Sequence, residues 1–132
     1  MYNQVDLAML VDDNEVDLFI QKRFIEIAGF AKDIKTYNSP SQAITYLQES
    51  DSTMPQIIFL DLNMPDMDGF GFLEKFIQLP GKIADEVKVV ILTSSSNQSD
   101  KKRAESYSSV KNFLSKPLSL EALKSLREAM SN

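Results

Sequence analysis

The chain has 132 residues, with 14 lysines and arginines against 19 aspartates and glutamates, for a formal net charge of -5. That length suits one domain with a core of its own, and the acidic balance argues against a nucleic-acid footprint. Cysteine and histidine are both absent, which excludes disulfides, thiolate nucleophiles, Cys- and His-based zinc sites and Ser-His-Asp hydrolysis.

In chain order, Leu7 to Val11 is a short apolar run that stops at Asp12-Asp13 and reads as a strand. Val16, Phe19, Ile20, Phe24, Ile27 and Ala28 then recur at helical spacing, which predicts a helix with that stripe inward and Gly29 as its stop. Ile34-Lys35-Thr36-Tyr37 alternates as a half-exposed strand does. Ser39-Pro40-Ser41-Gln42 opens a second helix with an N-cap, a proline at the first helical position and a capping-box glutamine. Ala43, Ile44 and Leu47 form its buried stripe.

Ile57-Ile58-Phe59-Leu60 is an unbroken apolar run and predicts a strand buried on both faces. It ends in Asp61, followed by the turn chemistry of Asn63, Pro65, Asp66 and Gly69. A third helix begins after Asp68-Gly69, with Phe72, Leu73, Phe76 and Ile77 inward, and ends before Pro80-Gly81. Val87 to Leu92 is another strand, closed by Thr93-Ser94. The fourth helix is read around Ser99 to Tyr107 and is the least hydrophobic. Val110 to Leu114 is a weaker strand running into Lys116-Pro117, and Leu120, Leu123, Leu126 and Met130 mark a fifth helix.

Strict alternation of strand and helix implies a parallel sheet with right-handed crossovers. All strand ends of one kind then share one edge, so Asp12-Asp13, Asp61, Thr93-Ser94 and Lys116-Pro117 converge on one crevice. Taken singly, each has a plainer reading: a helix cap for Asp12-Asp13, a turn former for Asp61, a loop hydroxyl for Thr93, a solvated lysine for Lys116. Four such features on one edge favour a site. Three carboxylates together repel unless a cation intervenes, and an oxygen donor set suits Mg²⁺ better than zinc. The lysine and the hydroxyl suit an anion carried to that site, most simply a phosphoryl group, for which an aspartate can be the nucleophile.

These motifs, Val11-Asp12-Asp13-Asn14, Asp61 through Gly69, Leu92-Thr93-Ser94 and Phe113-Leu114-Ser115-Lys116-Pro117, resemble those of a two-component response regulator receiver domain. The resemblance covers essentially the whole chain and is closest to a stand-alone, chemotaxis-type regulator. It implies a doubly wound (βα)5 fold, flavodoxin-like, with strand order 2-1-3-4-5. It also implies Asp61 as phosphoacceptor from a histidine kinase or histidine phosphotransfer protein. Asp12, Asp13, Asp61 and the Asn63 backbone carbonyl would hold Mg²⁺. Lys116 would pair with a phosphoryl oxygen, Thr93 would donate its hydroxyl, Phe113 would be the switch aromatic, and Pro117 would follow a cis peptide bond. The output surface would be the fourth helix, fifth strand and fifth helix, read by a separate downstream protein.

Two positions depart from the commonest family pattern: Phe113 stands where tyrosine is frequent, and Ser94 where alanine or glycine is frequent. A haloacid dehalogenase-type phosphatase would need a second Asp two residues after Asp61, where Asn63 stands. A dinucleotide binder would want a Gly-rich first turn in place of Asp12-Asp13-Asn14-Glu15. The usual sign of a receiver used only as an interaction module is loss of the phosphoacceptor, an acidic residue or the lysine, and all are present. No repeat, linker, signal peptide or apolar run of the ~18 residues a membrane span needs is visible. The expectation is one domain over residues 1–132 with no output domain, cytoplasmic and without membrane or nucleic-acid partners.

Overall fold

The computed structural model describes residues 4–49, 53–64, 68–94 and 97–130. Five parallel strands, β1 (Val5–Val11), β2 (Ala31–Tyr37), β3 (Ile57–Leu60), β4 (Lys88–Thr93) and β5 (Val110–Ser115), form one sheet in the order β2-β1-β3-β4-β5. The expected doubly wound topology is present. Around the sheet run α1 (Glu15–Ala28), α2 (Pro40–Gln48), α3 (Gly69–Phe76), α4 (Ile83–Glu86), α5 (Gln98–Glu105) and α6 (Leu120–Met130).

The central strands are buried on both faces, as their unbroken apolar runs require, and successive side chains enter opposite layers. Met9, Val11, Ile58, Leu60, Val89 and Ile91 pack with α2 and α3. Ala8, Leu10, Ile57, Phe59, Val90 and Leu92 pack with α1 and α6. The register aligns Val11 with Leu60, Leu60 with Ile91, and Ile91 with Phe113, so the carboxyl ends of β1, β3, β4 and β5 lie side by side.

Local signals place the helices on this frame. Gly29 ends α1 in the left-handed conformation at φ 61°, donating its N–H to the Glu26 and Ile25 carbonyls. Ser39 caps α2, with Pro40 at the first turn. Asp68 caps α3, its carboxylate accepting the Gly71 N–H at 2.8 Å.

Three sequence expectations are corrected. The buried face of α1 is Leu18, Gln21 and Ile25, whereas Val16 and Phe19 are 66% and 67% exposed and Ile20 and Ile27 also face solvent. This helix is apolar on two sides, and the side that packs is the one facing Phe30 and Leu123 rather than the one with the longest stripe. Ile77 is exposed because α3 ends at Phe76, and Leu120 is exposed at the start of α6. The short α4 lacks the apolar period of an amphipathic helix; it is held by backbone bonds to Lys82 and by Ser109 Oγ donating to the Ala84 carbonyl at 2.6 Å. Pro65, Asp66 and Met67 of the turn after Asp61 lie outside the described residues. Among the described residues, no helix is long and apolar enough to cross a membrane.

Candidate functional site

Asp12 and Asp61 each follow the last residue of a buried strand and extend its pairing: the Asp12 N–H donates to Tyr37 O at 3.1 Å and the Asp61 N–H to Val11 O at 3.0 Å. Both side chains are therefore fixed at the sheet edge, and both residues are buried. Asp13 is the most accessible of the three acids. One carboxylate oxygen from each of Asp12, Asp13 and Asp61 lies within 4.8 Å of the others. Such a set, all oxygen and in mutual repulsion, matches a hard divalent cation.

Lys116 arrives from the far side of the sheet. Its N–H donates to Thr93 O at 2.9 Å, which seats the residue at the end of β5, and the bond to Pro117 is cis. The ammonium Nζ lies 2.7 Å from Asp12 Oδ2, 2.7 Å from Asp17 Oδ2 and 3.3 Å from Asp61 Oδ2. Burial acts to lower the lysine pKa, but hydrogen bonds to Asp12 and Asp17 and the charges of Asp12 and Asp61 outweigh it and hold the ammonium above the ordinary lysine range. The Asp61 carboxyl is pushed up, mainly by burial. The Asp12 charge adds to this, while the Asn63 N–H and Lys116 pull the other way.

Thr93 is fully buried at the end of β4, and its Oγ1 accepts from Asn63 Nδ2 at 3.4 Å. The Asn63 N–H in turn donates to Asp61 Oδ1 at 3.2 Å, so Asn63 links the hydroxyl to the central carboxylate. Phe113 is not part of this cluster. It lies two residues earlier than Ser115 on β5, half-buried against the layer that holds α2 and α3. Ser94 is exposed and lines a groove of about 300 Å³ with Asp17, Ile20, Gln21, Lys116 and Pro117.

Two members of the site were not foreseen. Gln21, buried in α1, donates from Nε2 to Asp12 Oδ2 at 3.1 Å, and Asp17, one turn earlier on the same face, holds Lys116. Asp17 and Gln21 stand four residues apart in α1, the spacing that puts both on one face of the helix.

A family model for the response regulator receiver domain matches residues 8–128. The chain is 32% identical over 121 residues to the probable methanogenesis regulatory protein FilR2 of Methanothrix harundinacea (strain 6Ac), a match covering 89% of this chain and 76% of that protein. It also matches a hybrid signal transduction histidine kinase of Dictyostelium discoideum at 25% identity, spanning 90% of this chain but 7% of the kinase. Among solved structures, a two-component response regulator from Cytophaga hutchinsonii superimposes with a TM-score of 0.90 at 28% identity, over 98% of this chain and 99% of that one. The fold is also that of the Mn²⁺-bound response regulator Rcp1, with a TM-score of 0.73 at 24% identity over 96% and 91% of the two chains.

Proposed function

Since this chain belongs to the response regulator receiver family of two-component signalling, we propose that Asp61 accepts a phosphoryl group from a histidine kinase or histidine phosphotransfer protein. A separate downstream protein then reads the change. The observation that carries this reading is the meeting of Lys116 with Asp12 and Asp61 on one edge of the sheet.

In the transfer, an Asp61 carboxylate oxygen attacks phosphorus, the phosphorus–nitrogen bond of phosphohistidine breaks, and its electron pair stays with the imidazole nitrogen. Asp61 suits the role because its peptide is locked to β1 and its Oδ1 is oriented by the Asn63 N–H, so little rearrangement precedes attack. Lys116 supplies a permanent positive charge where phosphoryl oxygens would lie. Asp12, Asp13, Asp61 and the Asn63 backbone carbonyl would hold Mg²⁺, and the manganese-bound relative supports a divalent ion in this fold. When bound, the ion supplies neutralisation of the gathered negative charge.

The new phosphoryl group would compete for the Thr93 hydroxyl, which Asn63 now engages, and for Lys116. A charge-assisted contact is stronger than a neutral one, so Thr93 would move towards the phosphoryl group. Phe113, half-buried on the neighbouring strand, would follow, and the surface of α5, β5 and α6 would carry the signal. The test is incubation with Mg²⁺ and phosphoramidate, read by intact mass. One hydroxylamine-labile phosphoryl group is expected in the native chain, none after chelation and none in Asp61→Asn. Equal labelling of Asp61→Asn would overturn the assignment.

A further inference from the structure

The resting site carries a fourth carboxylate. An ammonium has three N–H donors, and here three carboxylates, Asp12, Asp17 and Asp61, surround that of Lys116. A phosphoryl oxygen carried on Asp61 takes the place of the Asp61 carboxylate at this lysine and competes there with Asp12 and Asp17.

The three partners are unequally anchored. Asp12 is 1% exposed, its Oδ1 accepts the Asn14 N–H at 2.9 Å, and its Oδ2 also accepts from Gln21. Asp61 is the acceptor itself and is fixed by its own peptide and by the Asn63 N–H. The Asp17 side chain is 34% exposed, and among the described residues its carboxylate bonds Lys116 alone. Asp17 sits at the third position of α1, where an acid could fold back towards the helix start; its backbone N–H takes the Asn14 cap at 3.0 Å and its side chain crosses to β5 instead. It also lies on the wall of the groove that leads to the lysine.

We propose that Asp17 is a positioning residue that holds Lys116 in the resting protein and competes with the incoming phosphoryl group for it. The inference rests on Asp61 being the phosphoacceptor and names a contact that competes with its product for Lys116. Asp17 thus sets how much phosphodonor, or phosphoryl analogue, the site needs.

The test uses Asp17→Asn, which keeps the shape and the hydrogen bond but removes the charge, and Asp17→Glu, which restores it. Beryllofluoride, an anionic phosphoryl analogue, is titrated in saturating Mg²⁺ and followed by NMR. The loss of one competing ion pair is expected to tighten beryllofluoride binding about three- to tenfold in Asp17→Asn. The half-saturating phosphoramidate concentration should fall by the same factor, with the maximal rate changed by less than about twofold. Asp17→Glu should return towards the native values, which a purely structural defect would not do. Unchanged or weaker beryllofluoride binding in Asp17→Asn, or an Asp17→Glu variant that matches it, would overturn the role of Asp17. Failure of the native chain to bind beryllofluoride or to be labelled at Asp61 would overturn both this inference and the phosphoacceptor reading.

Discussion

Replacing Gly69 by alanine tests whether the start of α3 fixes the backbone that carries Asp61. A Cβ at this position would lie 2.7 Å from the Asp61 carbonyl oxygen, 2.7 Å from Leu62 Cα and 2.7 Å from Leu62 Cδ2. Carbon contacts settle at about 3.5–4.0 Å, so roughly 1 Å of room must be made. Two of the three neighbours are backbone, and Leu62 is buried among core side chains, so the chain after Asp61 has to shift. The Gly69 N–H bond to Leu62 O at 2.9 Å ties the helix to that same segment and leaves it no separate way out. Overpacking of this kind costs about 1–3 kcal/mol, against at most about 1 kcal/mol gained in helix propensity. Urea denaturation should therefore show a net loss of about 1–2 kcal/mol. A 1 Å displacement of a nucleophile slows transfer on the order of 100-fold, so phosphoramidate labelling should slow far more than stability alone implies. Gly81→Ala is the control: at φ 74° it is strained, yet nothing lies within 4 Å of its Cβ, so it should lose about 1 kcal/mol with no change in labelling rate. Native stability and labelling in Gly69→Ala, or equal slowing in Gly81→Ala, would refute the argument.

The acid cluster predicts that Mg²⁺ stabilises the fold, by about 1.4 kcal/mol at ten times its dissociation constant, and that Asp13→Ala abolishes most of this gain; calorimetric melting with and without the ion measures it. The raised Asp61 pKa fixes the sign of a pH effect. Its folded value lies above the unfolded one, so its stabilising contribution is complete below the ordinary carboxylate range and is lost as pH rises through the folded value. In metal-free urea titrations, Asp61→Asn should thus gain on the native chain from about pH 4 towards pH 7, and a constant difference would contradict the assigned burial penalty. Lys116→Ala should still be labelled, more slowly, but without the shift changes that phosphorylation produces at residues 99–116 in the native NMR spectrum. Phe113→Ala should be labelled at the native rate yet show the same loss at those residues.

Much of the architecture is legible because the signals are strong where the sheet is deepest. Ile57 to Leu60 is apolar without interruption and ends in a carboxylate, so both the buried strand and its functional end can be read directly. Gly29 and Ser39-Pro40 mark helix boundaries by backbone chemistry that tertiary packing does not override. The face of α1 is less legible, because Val16, Phe19 and Ile20 compete with Leu18, Phe24 and Ile25 for the inward side, and only packing against the sheet and α6 decides between them. Asp17 escapes notice for a related reason: an acid in the first turn of a helix has a sufficient local explanation in capping and the helix dipole. Its contact with Lys116, 99 residues away, exists only in the folded chain. Gln21 reads as a solvated position until the fold turns it onto Asp12.

The most direct measurement of the central claim is chemical mapping of the phosphorylated residue. Protein treated with Mg²⁺ and phosphoramidate is reduced with borohydride, which converts an aspartyl phosphate to homoserine, and its peptides are then sequenced by tandem mass spectrometry. The account predicts homoserine at position 61 and at no other aspartate, because among the described residues Asp61 alone combines a locked backbone, the Asn63 N–H and the Lys116 ammonium at the end of the central strand. Homoserine at position 12, 13 or 17, or none at position 61 in labelled protein, would contradict it.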